Sequence, residues 1–421
     1  MNMREMKDSG IEWIGAIPFQ WSIDKLKYHL KRNEPKNPGE QIVLSLYREL
    51  GVVPKDSRDD NHNVTSDDTS NYKYVRIGDF VINKMKAWQG SVAVSDYEGI
   101  VSPAYFIYNF TDTVFYKKYF HYLLRSCYKD EFRRLSGGIR EGQWDLPAEA
   151  LNNTPVLIPT LSEQQTIACF LDRKSAECDA LVADIQSQIE VLEEYKRSVI
   201  TEAVTKGLDP DVKMRDSGIA WVGDIPAHWI THPLYFYFGV RKNKNALGLE
   251  TNLLSLSYGK IIRKDINSNG GLLPESFNTY NIIEKDDIII RPTDLQNDKR
   301  SLRTGIAREH GIITSAYIAM KAIKSVNPEY FHYLLHAYDV MKVFYNMGNG
   351  VRQGLNFSEF SRLMVFEPTI EEQNAIVEYL KEKCDEIDLA IAEKKQQIET
   401  IEEYKKSLIF EYVTGKKEVQ A

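Results

Sequence analysis

The sequence predicts an α+β fold class, with two tandem-repeat α/β domains separated by two long helices that pack on each other as a coiled coil. Three observations support this prediction. A polar stretch with a helical apolar stripe runs from residue 163 to residue 206. A second stretch of the same kind ends the chain, and the segments before the two stretches match each other at an offset of 208 or 209 residues.

The first long helix is predicted from the spacing of its apolar residues, about 3.5 residues, which keeps one stripe of a supercoiled helix on the same face. At about 1.5 Å per residue this helix would be about 65 Å long, and because it is polar outside the stripe it requires a partner helix. Ser162 and Gln165 predict a capping box at its start, and Gly207 and Pro210 predict its end. The stripe consists of Cys178, Leu181, Val182, Ile185, Ile189, Leu192, Tyr195 and Val199.

The second long helix is the predicted partner. Residues 368–376 repeat residues 159–167, and residues 402–407 repeat residues 193–198, at the same offset of 209. The alternative is two independent core helices, which is disfavoured because neither stretch is apolar enough to be buried on all sides. The second stripe consists of Cys384, Ile387, Ile391, Ile398, Ile401, Tyr404 and Leu408.

Composition indicates an ordinary globular protein. The chain has 421 residues, of which 43% are hydrophobic and 27% charged, enough for two or more domains with their own cores. No apolar run of about 18 residues and no secretory leader is recognised, so we expect a cytoplasmic protein with no membrane partner. The four cysteines form no CxxC pair, which suits a reducing compartment.

The net charge of −7 is unevenly distributed along the chain. The two long helices carry −4 and −5, whereas residues 1–161 are neutral and residues 208–368 carry +2. A polyanion could therefore bind the globular segments while the helices stay away from it. The charge permits DNA binding without requiring it.

Each repeat opens with a turn that contains tryptophans. Residues 8–21 return as residues 216–229, and both copies keep Asp-Ser-Gly-Ile followed by Trp, Gly, Ile-Pro and Trp. We interpret these tryptophans as packing at the domain entrance, in preference to base stacking, because Gly and Pro at these spacings are typical of turns. The predicted domains are residues 1–161 and 208–368, and the predicted long-helix segments are residues 162–207 and 369–421.

Short strands and one helix are predicted at matching places in the two repeats. The predicted strands are residues 44–46, 78–82, 100–108 and 156–158 in the first repeat, and residues 254–256, 286–290, 312–320 and 364–366 in the second. The predicted helices are residues 119–124 and 330–335.

Two kinds of loop are candidates for function. After the second predicted strand the copies diverge into basic loops, and a glycine-rich turn with Arg and Gln precedes each last strand, at residues 137–143 and 348–354. Glycine allows close backbone approach, and Arg and Gln form the paired hydrogen bonds that read base edges. The alternative is an ordinary solvated hairpin tip. The candidate DNA-binding residues are Lys84, Lys86, Trp88, Arg140, Gln143, Arg291, Lys299, Arg300, Arg303, Arg352 and Gln353.

No catalytic residue and no metal site is predicted. His332 and His336 have the spacing of a metal-binding pair, but no Glu accompanies them and Arg125 replaces His336 in the first repeat. We interpret them as satisfied structural histidines. Residues 327–330 are similar to the Asn-Pro-Pro-aromatic motif of amino-methyltransferases but lack its second proline, and we identify no phosphate loop, nucleophile elbow or nuclease cluster.

The doubled order of these motifs resembles the specificity subunit of type I restriction-modification systems. The resemblance rests on the paired tryptophan turns, on Pro-Thr-Leu-Ser-Glu-Gln-Gln at residues 159–165 with its copy at residues 368–374, and on Glu-Glu-Tyr-Lys-Arg-Ser at residues 193–198. It covers essentially the whole chain.

This resemblance implies two target-recognition domains that each read half of a split double-stranded DNA sequence. It also implies an antiparallel pair of long helices that sets the spacer and docks two methyltransferase subunits, with motor-nuclease subunits as further partners. S-adenosylmethionine, ATP and Mg are expected in those partners, and this chain would be non-catalytic without a cofactor. Two alternatives stay open: the recognition subunit of a type IIB-like restriction system, and a coiled-coil scaffold that joins two protein-binding domains without DNA.

Overall fold

The computed structural model describes residues 4–48, 50–57, 68–138, 144–219, 221–266, 274, 276–293, 302–343, 347 and 354–419. The chain divides into two compact units. Unit 1 comprises Met1–Ile185 and Gln396–Ala421, and unit 2 comprises Gln186–Lys395. Both unit boundaries fall inside the long helices, so each unit contains part of both helices. The domain boundaries predicted from the sequence remain a prediction.

Unit 1 contains twelve strands among its described residues, three short α-helices and parts of both long helices. The strands are β1 (Met6–Asp8), β2 (Ala16–Pro18), β3 (Ser22–Lys25), β4 (Leu30–Arg32), β5 (Leu44–Tyr47), β6 (Gly51–Pro54), β7 (Lys73–Val75), β8 (Phe80–Asn83), β9 (Val92–Val94), β10 (Gly99–Val101), β11 (Tyr105–Phe110) and β12 (Pro155–Ile158). The helices are α1 (Lys117–Cys127), α2 (Lys129–Leu135), α3 (Ala148–Asn152) and the long α4 (Leu161–Lys206).

The centre of unit 1 is an antiparallel sheet with the strand order β4-β11-β8-β9. Successive side chains of β8 point to opposite faces, as strand geometry requires, and both faces are buried. Phe80 packs edge-to-face on Phe120 of α1, with ring centroids 5.0 Å apart. Val81, on the other face, belongs to a separate core with Leu44 and Val101. The sheet is thus a middle layer between helices and the smaller strand pairs.

Unit 2 repeats this layout. The strands are β13 (Met214–Asp216), β14 (Asp224–Pro226), β15 (Ile230–Pro233), β16 (Phe238–Val240), β17 (Leu254–Ser257), β18 (Lys260–Arg263), β19 (Asn281–Ile283), β20 (Ile288–Ile290), β21 (Thr304–Ile306), β22 (Gly311–Ile313), β23 (Ile318–Ala322) and β24 (Met364–Glu367). The helices are α5 (Pro328–Val340), α6 (Phe357–Phe360) and the long α7 (Ile370–Val413). The central antiparallel sheet, β16-β23-β20-β21, has the connectivity of its counterpart in unit 1.

The long predicted strands are each divided in two. Residues 100–108 form β10 and β11, which pair with different partners, β7 and β8. Pro103 interrupts the run, and the N–H of Tyr105 donates to the carbonyl of Ser102 at 3.1 Å in the intervening turn. Residues 312–320 divide in the same way into β22 and β23.

The opening turns pack where the sequence places them. Trp21 and Trp229 are buried, which confirms their packing role. The Trp21 indole N–H donates to Glu163 of α4 at 2.9 Å, and the Trp229 N–H donates to Glu372 of α7 at 3.4 Å. Each turn therefore fixes the start of the long helix that follows its repeat.

The observed capping residue of α4 lies two residues before Ser162, the predicted one. The N–H of Glu163 donates to the Thr160 hydroxyl at 3.3 Å, and in α7 the Thr369 N–H also donates back to Glu372 at 2.9 Å. Thr160 and Thr369 are therefore the capping residues. At the other end, Gly207 ends α4 with a φ of +78°, as predicted.

The long helices pack against each other antiparallel within each unit. In unit 1, Lys405 of α7 pairs with Asp179 of α4 at 2.6 Å. In unit 2, Lys196 of α4 pairs with Asp388 of α7, also at 2.6 Å. In both ion pairs the two residue numbers add up to 584, so α4 and α7 pair in the same antiparallel register in both units. The fold class predicted from the sequence is confirmed, and no helix among the described residues is long and apolar enough to cross a membrane.

Part of each predicted apolar stripe is exposed. Of the predicted stripe residues, Leu181 is 54% and Tyr404 is 55% exposed in unit 1, and Tyr195 is 54% exposed in unit 2. Leu389, which is not in the predicted stripe, is 63% exposed. Two helices cover only a narrow stripe of each other, so residues at its edge remain in solvent. The prediction that Leu181, Tyr195 and Tyr404 lie in the seam is therefore wrong.

A histidine held by two carboxylates joins three segments of unit 2. His310 lies 2.8 Å from Glu250 and 2.9 Å from Glu284, and the hydrogen bond with Glu284 raises the pKa of His310 above its usual value. A raised pKa stabilises the fold below about pH 6.5, and this contribution is lost as pH rises through the raised pKa. We expect His310→Gln to lower the Tm of the chain at about pH 5.5 and to have little effect at about pH 9. An equal loss of Tm at both pH values would contradict the role of the charged form.

Candidate nucleic-acid interface

The candidate segment of unit 1 directly follows strand β8. The Trp88 indole N–H donates to the carbonyl of Met85 at 3.0 Å, and its ring lies 5.5 Å from that of Trp144. Lys86 is exposed between these contacts. The aromatic pair fixes the segment while the Lys86 ammonium stays in solvent, where it can reach a phosphate.

The base of the first glycine-rich loop lies against the same segment. Gly137 and Asp145 exchange two backbone hydrogen bonds of 3.2 and 2.9 Å. The N–H of Leu146 donates to the carbonyl of Lys84 at 3.0 Å, and the Lys84 ammonium lies 2.9 Å from the Asp145 carboxylate. The structure thus brings the two predicted elements of unit 1 together at the base of the loop. Arg140 and Gln143 lie outside the described residues.

Three cations surround the ring of Phe106 in unit 1. The guanidinium of Arg32 lies 4.2 Å from the ring centre, and the ammonium groups of Lys73 and Lys84 each lie 5.9 Å from it. Glu34 lies 2.7 Å from Arg32 and 3.0 Å from Lys73. Burial raises the pKa of Glu34, but hydrogen bonds from Arg32 and Lys73 outweigh burial and hold that pKa below its usual value. Asp145 pairs with Lys84, so the three cations of this cationic cluster face two carboxylates. The remaining positive charge suits a phosphate.

Sequence reasoning missed most of this cluster. Arg32, Lys73 and Phe106 lie on three separate strand segments that only the folded sheet brings together. The repeat gave no signal for Arg32, because the strand registers align it with Val240 in unit 2.

In unit 2 the base of the glycine-rich loop is hydrogen-bonded to the end of the equivalent strand, β20. The N–H of Leu355 donates to the carbonyl of Pro292 at 2.9 Å, as Leu146 does to Lys84 in unit 1. Arg291, the preceding residue, is partly buried, and its N–H donates to the carbonyl of Arg303 at 2.9 Å. The remaining candidates of unit 2 lie outside the described residues: Lys299, Arg300, Arg352 and Gln353.

Arg303 does not present its side chain to solvent. It is fully buried, its backbone N–H donates to the carboxylate of Asp339, and its guanidinium donates to the carbonyl of Thr293. Thr293 and Arg303 flank the segment that carries Lys299 and Arg300. We therefore replace the predicted DNA contact of Arg303 by a structural role, in which it closes the base of that loop.

The cationic cluster has no counterpart at the same place in unit 2. Val240 occupies the position of Arg32, and the next residue, Arg241, donates to the buried carboxylate of Asp287 at 2.8 Å. Burial raises the pKa of Asp287, and the Arg241 hydrogen bond opposes that rise. Ile318 replaces Phe106 in the aligned strand. The two units therefore share a frame and differ in the charge they display beside it.

The described residues contain no group of three or more His, Cys, Asp or Glu side chains arranged to hold a metal ion. His332 differs in one respect from the sequence-based interpretation. Its Nε2 atom is buried and has no hydrogen-bond partner in the described part of the chain, so the prediction that it is satisfied is wrong.

Residues 25–191 match the family model described as the type I restriction modification DNA specificity domain. The chain is 24% identical over 427 residues to the putative type I restriction enzyme MjaX specificity subunit of Methanocaldococcus jannaschii, which covers 96% of this chain and 95% of the relative. The MjaVIII specificity subunit of the same organism is 25% identical over 281 residues, covering 63% of this chain and 62% of the relative.

Solved structures support the same fold. The HsdS subunit of Thermoanaerobacter tengcongensis matches with a TM-score of 0.50 and 14% identity, covering 95% of this chain and 98% of the other. A chain from a structural study of complex assembly and conformational transition in a type I R-M system matches with a TM-score of 0.61 and 13% identity, covering 95% and 99%. Residues 25–191 thus match the type I restriction modification DNA specificity domain, and the chain as a whole has the fold of these solved structures.

Proposed function

We propose that this chain is the DNA specificity subunit of a type I restriction-modification complex and that each repeat reads one half of a bipartite target. One observation carries the proposal. In both units a backbone hydrogen bond joins the base of the glycine-rich loop to the end of the equivalent sheet strand. The N–H of Leu146 donates to Lys84 at 3.0 Å in unit 1, and the N–H of Leu355 donates to Pro292 at 2.9 Å in unit 2. A repeated frame that presents different loops at equivalent places suits the reading of two different half-sites.

Phosphate contacts and base contacts come from different parts of unit 1 in this proposal. The cationic cluster around Phe106 and the exposed Lys86 supply attraction that is independent of sequence and sensitive to salt. The glycine-rich loop carries Arg140 and Gln143, whose side-chain types read base edges. The acidic long helices stay away from the DNA because of their charge.

The exposed apolar residues of the long helices suit the docking of two methyltransferase subunits. Leu181 and Tyr404 lie at the same height of the helix pair in unit 1, because residue 180 is opposite residue 404 in the register of Lys405 and Asp179. In unit 2 the repeat equivalent of Tyr404 is Tyr195, and Leu389 lies opposite it in the register of Lys196 and Asp388. Two similar apolar pairs, one in each unit, fit two copies of one partner that covers apolar side chains.

We expect the purified chain to methylate no DNA by itself, because a non-catalytic specificity subunit supplies recognition and its methyltransferase partner supplies the chemistry. The measurement is adenine methylation of a plasmid that contains the target, with S-adenosylmethionine, with and without the co-encoded methyltransferase. The partner alone is the control and should methylate little. Stoichiometric methylation by the isolated chain would contradict the proposal.

Arg352→Ala combined with Gln353→Ala should relax recognition of one half-site and leave the other half-site unchanged, because each loop belongs to a separate unit. Loss of a paired base contact costs about 1 to 3 kcal/mol of discrimination. The matched control is Arg140→Ala with Gln143→Ala, which should affect the opposite half-site. A methylation assay on targets with single-base changes distinguishes the outcomes, since uniform weakening on all sequences would assign the loop to phosphate contacts.

The two alternatives make different predictions. A scaffold that joins protein-binding domains would show no binding to DNA that weakens steeply with salt, whereas the proposed subunit should. A recognition subunit of a type IIB-like system would bind DNA similarly but would act with a partner that cuts on both sides of the target. The activity of the co-encoded partner therefore decides between the two restriction systems.

A further inference from the structure

Unit 2 contains a cavity of about 1000 Å³ that the proposed DNA-reading role does not use. Its walls are the paired segments of α4 and α7, helix α5 and the hairpin of β17 and β18. Cavities of about 300 to 1,000 Å³ are the usual size for small-molecule ligands. The volume therefore suits a ligand of nucleotide size.

Positive charge predominates around this cavity. The acidic lining residues among those described are Glu193, Asp385 and Asp388. Asp388 pairs with Lys196 at 2.6 Å and Glu193 with Arg197 at 4.0 Å, and Arg308 pairs with Glu329 outside the lining. Lys260 on the hairpin and Lys395 on α7 have no ion-pair partner in the described part of the chain. The six basic lining residues are Lys196, Arg197, Lys260, Arg308, Lys342 and Lys395.

Two uncharged histidines lie in the wall between these cations. Burial, together with His336 and Arg308, lowers the pKa of His332 to about 3. Burial, together with Lys196 and Arg197, lowers the pKa of His336 to about 4. The Nε2 atom of His332 is buried with no partner among the described residues, which is costly unless another group hydrogen-bonds to it.

In unit 1 the place equivalent to this cavity is filled by the side chain of Arg125. Arg125 occupies the position of His336, donates to the carbonyl of Arg48 at the tip of the equivalent hairpin, and lies 3.1 Å from His121. In unit 2 the shorter His336 leaves helix α5 and the hairpin separated by the cavity. An arginine therefore bridges helix and hairpin in one repeat, and a cation-lined opening takes its place in the other.

We propose that the unit 2 cavity binds a small phosphate-bearing anion of nucleotide size. The phosphates accept hydrogen bonds from Lys260 and Lys395 and lie against the wall that contains His332, which balances the excess positive charge. Tyr258 lies on the cavity wall at the hairpin tip, is 77% exposed and has a φ of +45°, an uncommon conformation for a residue with a side chain. Its ring offers a stacking surface for the base.

The test is calorimetric titration of the full chain with inorganic pyrophosphate and, separately, with ADP. We expect saturable binding of one molecule per chain, with ADP tighter than pyrophosphate because of stacking on Tyr258. Lys260→Glu with Lys395→Glu should weaken both ligands about tenfold or more, because attractive charges become repulsive. The matched control, Lys264→Glu with Lys394→Glu, changes the total charge equally outside the cavity lining and should bind as the wild type does.

Two further readouts make the assignment specific. Histidine NMR should show the pKa of His332 rising from about 3 when pyrophosphate is bound, since a bound anion favours the charged ring. Tyr258→Ala should remove only the advantage of ADP over pyrophosphate. Absence of saturable binding by either ligand, or equal weakening in the control variant, overturns the site, and equal affinity for both ligands overturns the nucleotide assignment.

Discussion

Replacing Arg303 by alanine should destabilise unit 2 by about 2 to 5 kcal/mol, the range for truncating a large buried side chain to alanine. The guanidinium is fully buried and donates to the carbonyl of Thr293, which loses that donor in the variant. Asp339, also fully buried, accepts the backbone N–H of the same residue, a hydrogen bond that alanine keeps, so the loss reports the guanidinium and its buried stem. Chemical denaturation of the full chain measures the loss.

The internal repeat supplies a control for this prediction. Ser91 occupies the equivalent position in unit 1, where the N–H of Asn83 donates to its carbonyl at 3.1 Å as that of Arg291 donates to Arg303. Ser91→Ala should cost about 1 kcal/mol or less, because only a neutral hydroxyl is removed. If Arg303→Ala costs no more than Ser91→Ala, the guanidinium does not hold the loop and the predicted DNA contact deserves a new test.

Arg303 also shows where sequence reasoning fails for this fold. A basic residue in a polar loop that differs between repeats is usually solvated, and nothing near it in the sequence indicates burial. Its partner Asp339 is 36 residues away in helix α5. The pairing depends on how the helix packs against strand β21, which periodicity within each segment does not reveal.

The frame, in contrast, was predictable because the repeat supplies two copies of each signal. The tryptophan turns, the capped helix starts and the paired helices follow from local chemistry that appears twice. Errors arose where two local signals competed. Ser162 and Thr160 are both capping residue types, and Thr160 is the one whose hydroxyl accepts the N–H of Glu163 in the observed helix.

The edges of the helical stripes were misplaced for a different reason. Apolar spacing of about 3.5 residues marks a face of a helix, but it does not give the width of the surface that the partner covers. Leu181 and Tyr404 satisfy the spacing and still lie in solvent. Such exposed positions are the ones that a further helix could cover, which is why the docking proposal rests on them.

Lengthening both long helices by one heptad should increase the DNA spacer by up to about three base pairs, since seven residues add about 10 Å and one base pair spans about 3.4 Å. The register that pairs Lys196 with Asp388 sets residue 192 opposite residue 392, so the matched insertion points follow Leu192 and Ile391. A heptad keeps the apolar stripe in phase, and two matched insertions keep both helices paired. Inserting seven residues into α4 alone is the control and should destabilise the chain, because it shifts Lys196 by one heptad away from Asp388 and disrupts the unit 2 core, which contains residues of both helices. Methylome sequencing of a host that expresses the doubly lengthened chain measures the spacer, and the half-site bases should stay the same because both recognition loops are unchanged. Full methylation at the original spacer would mean that the helices dock partners without setting the distance between half-sites.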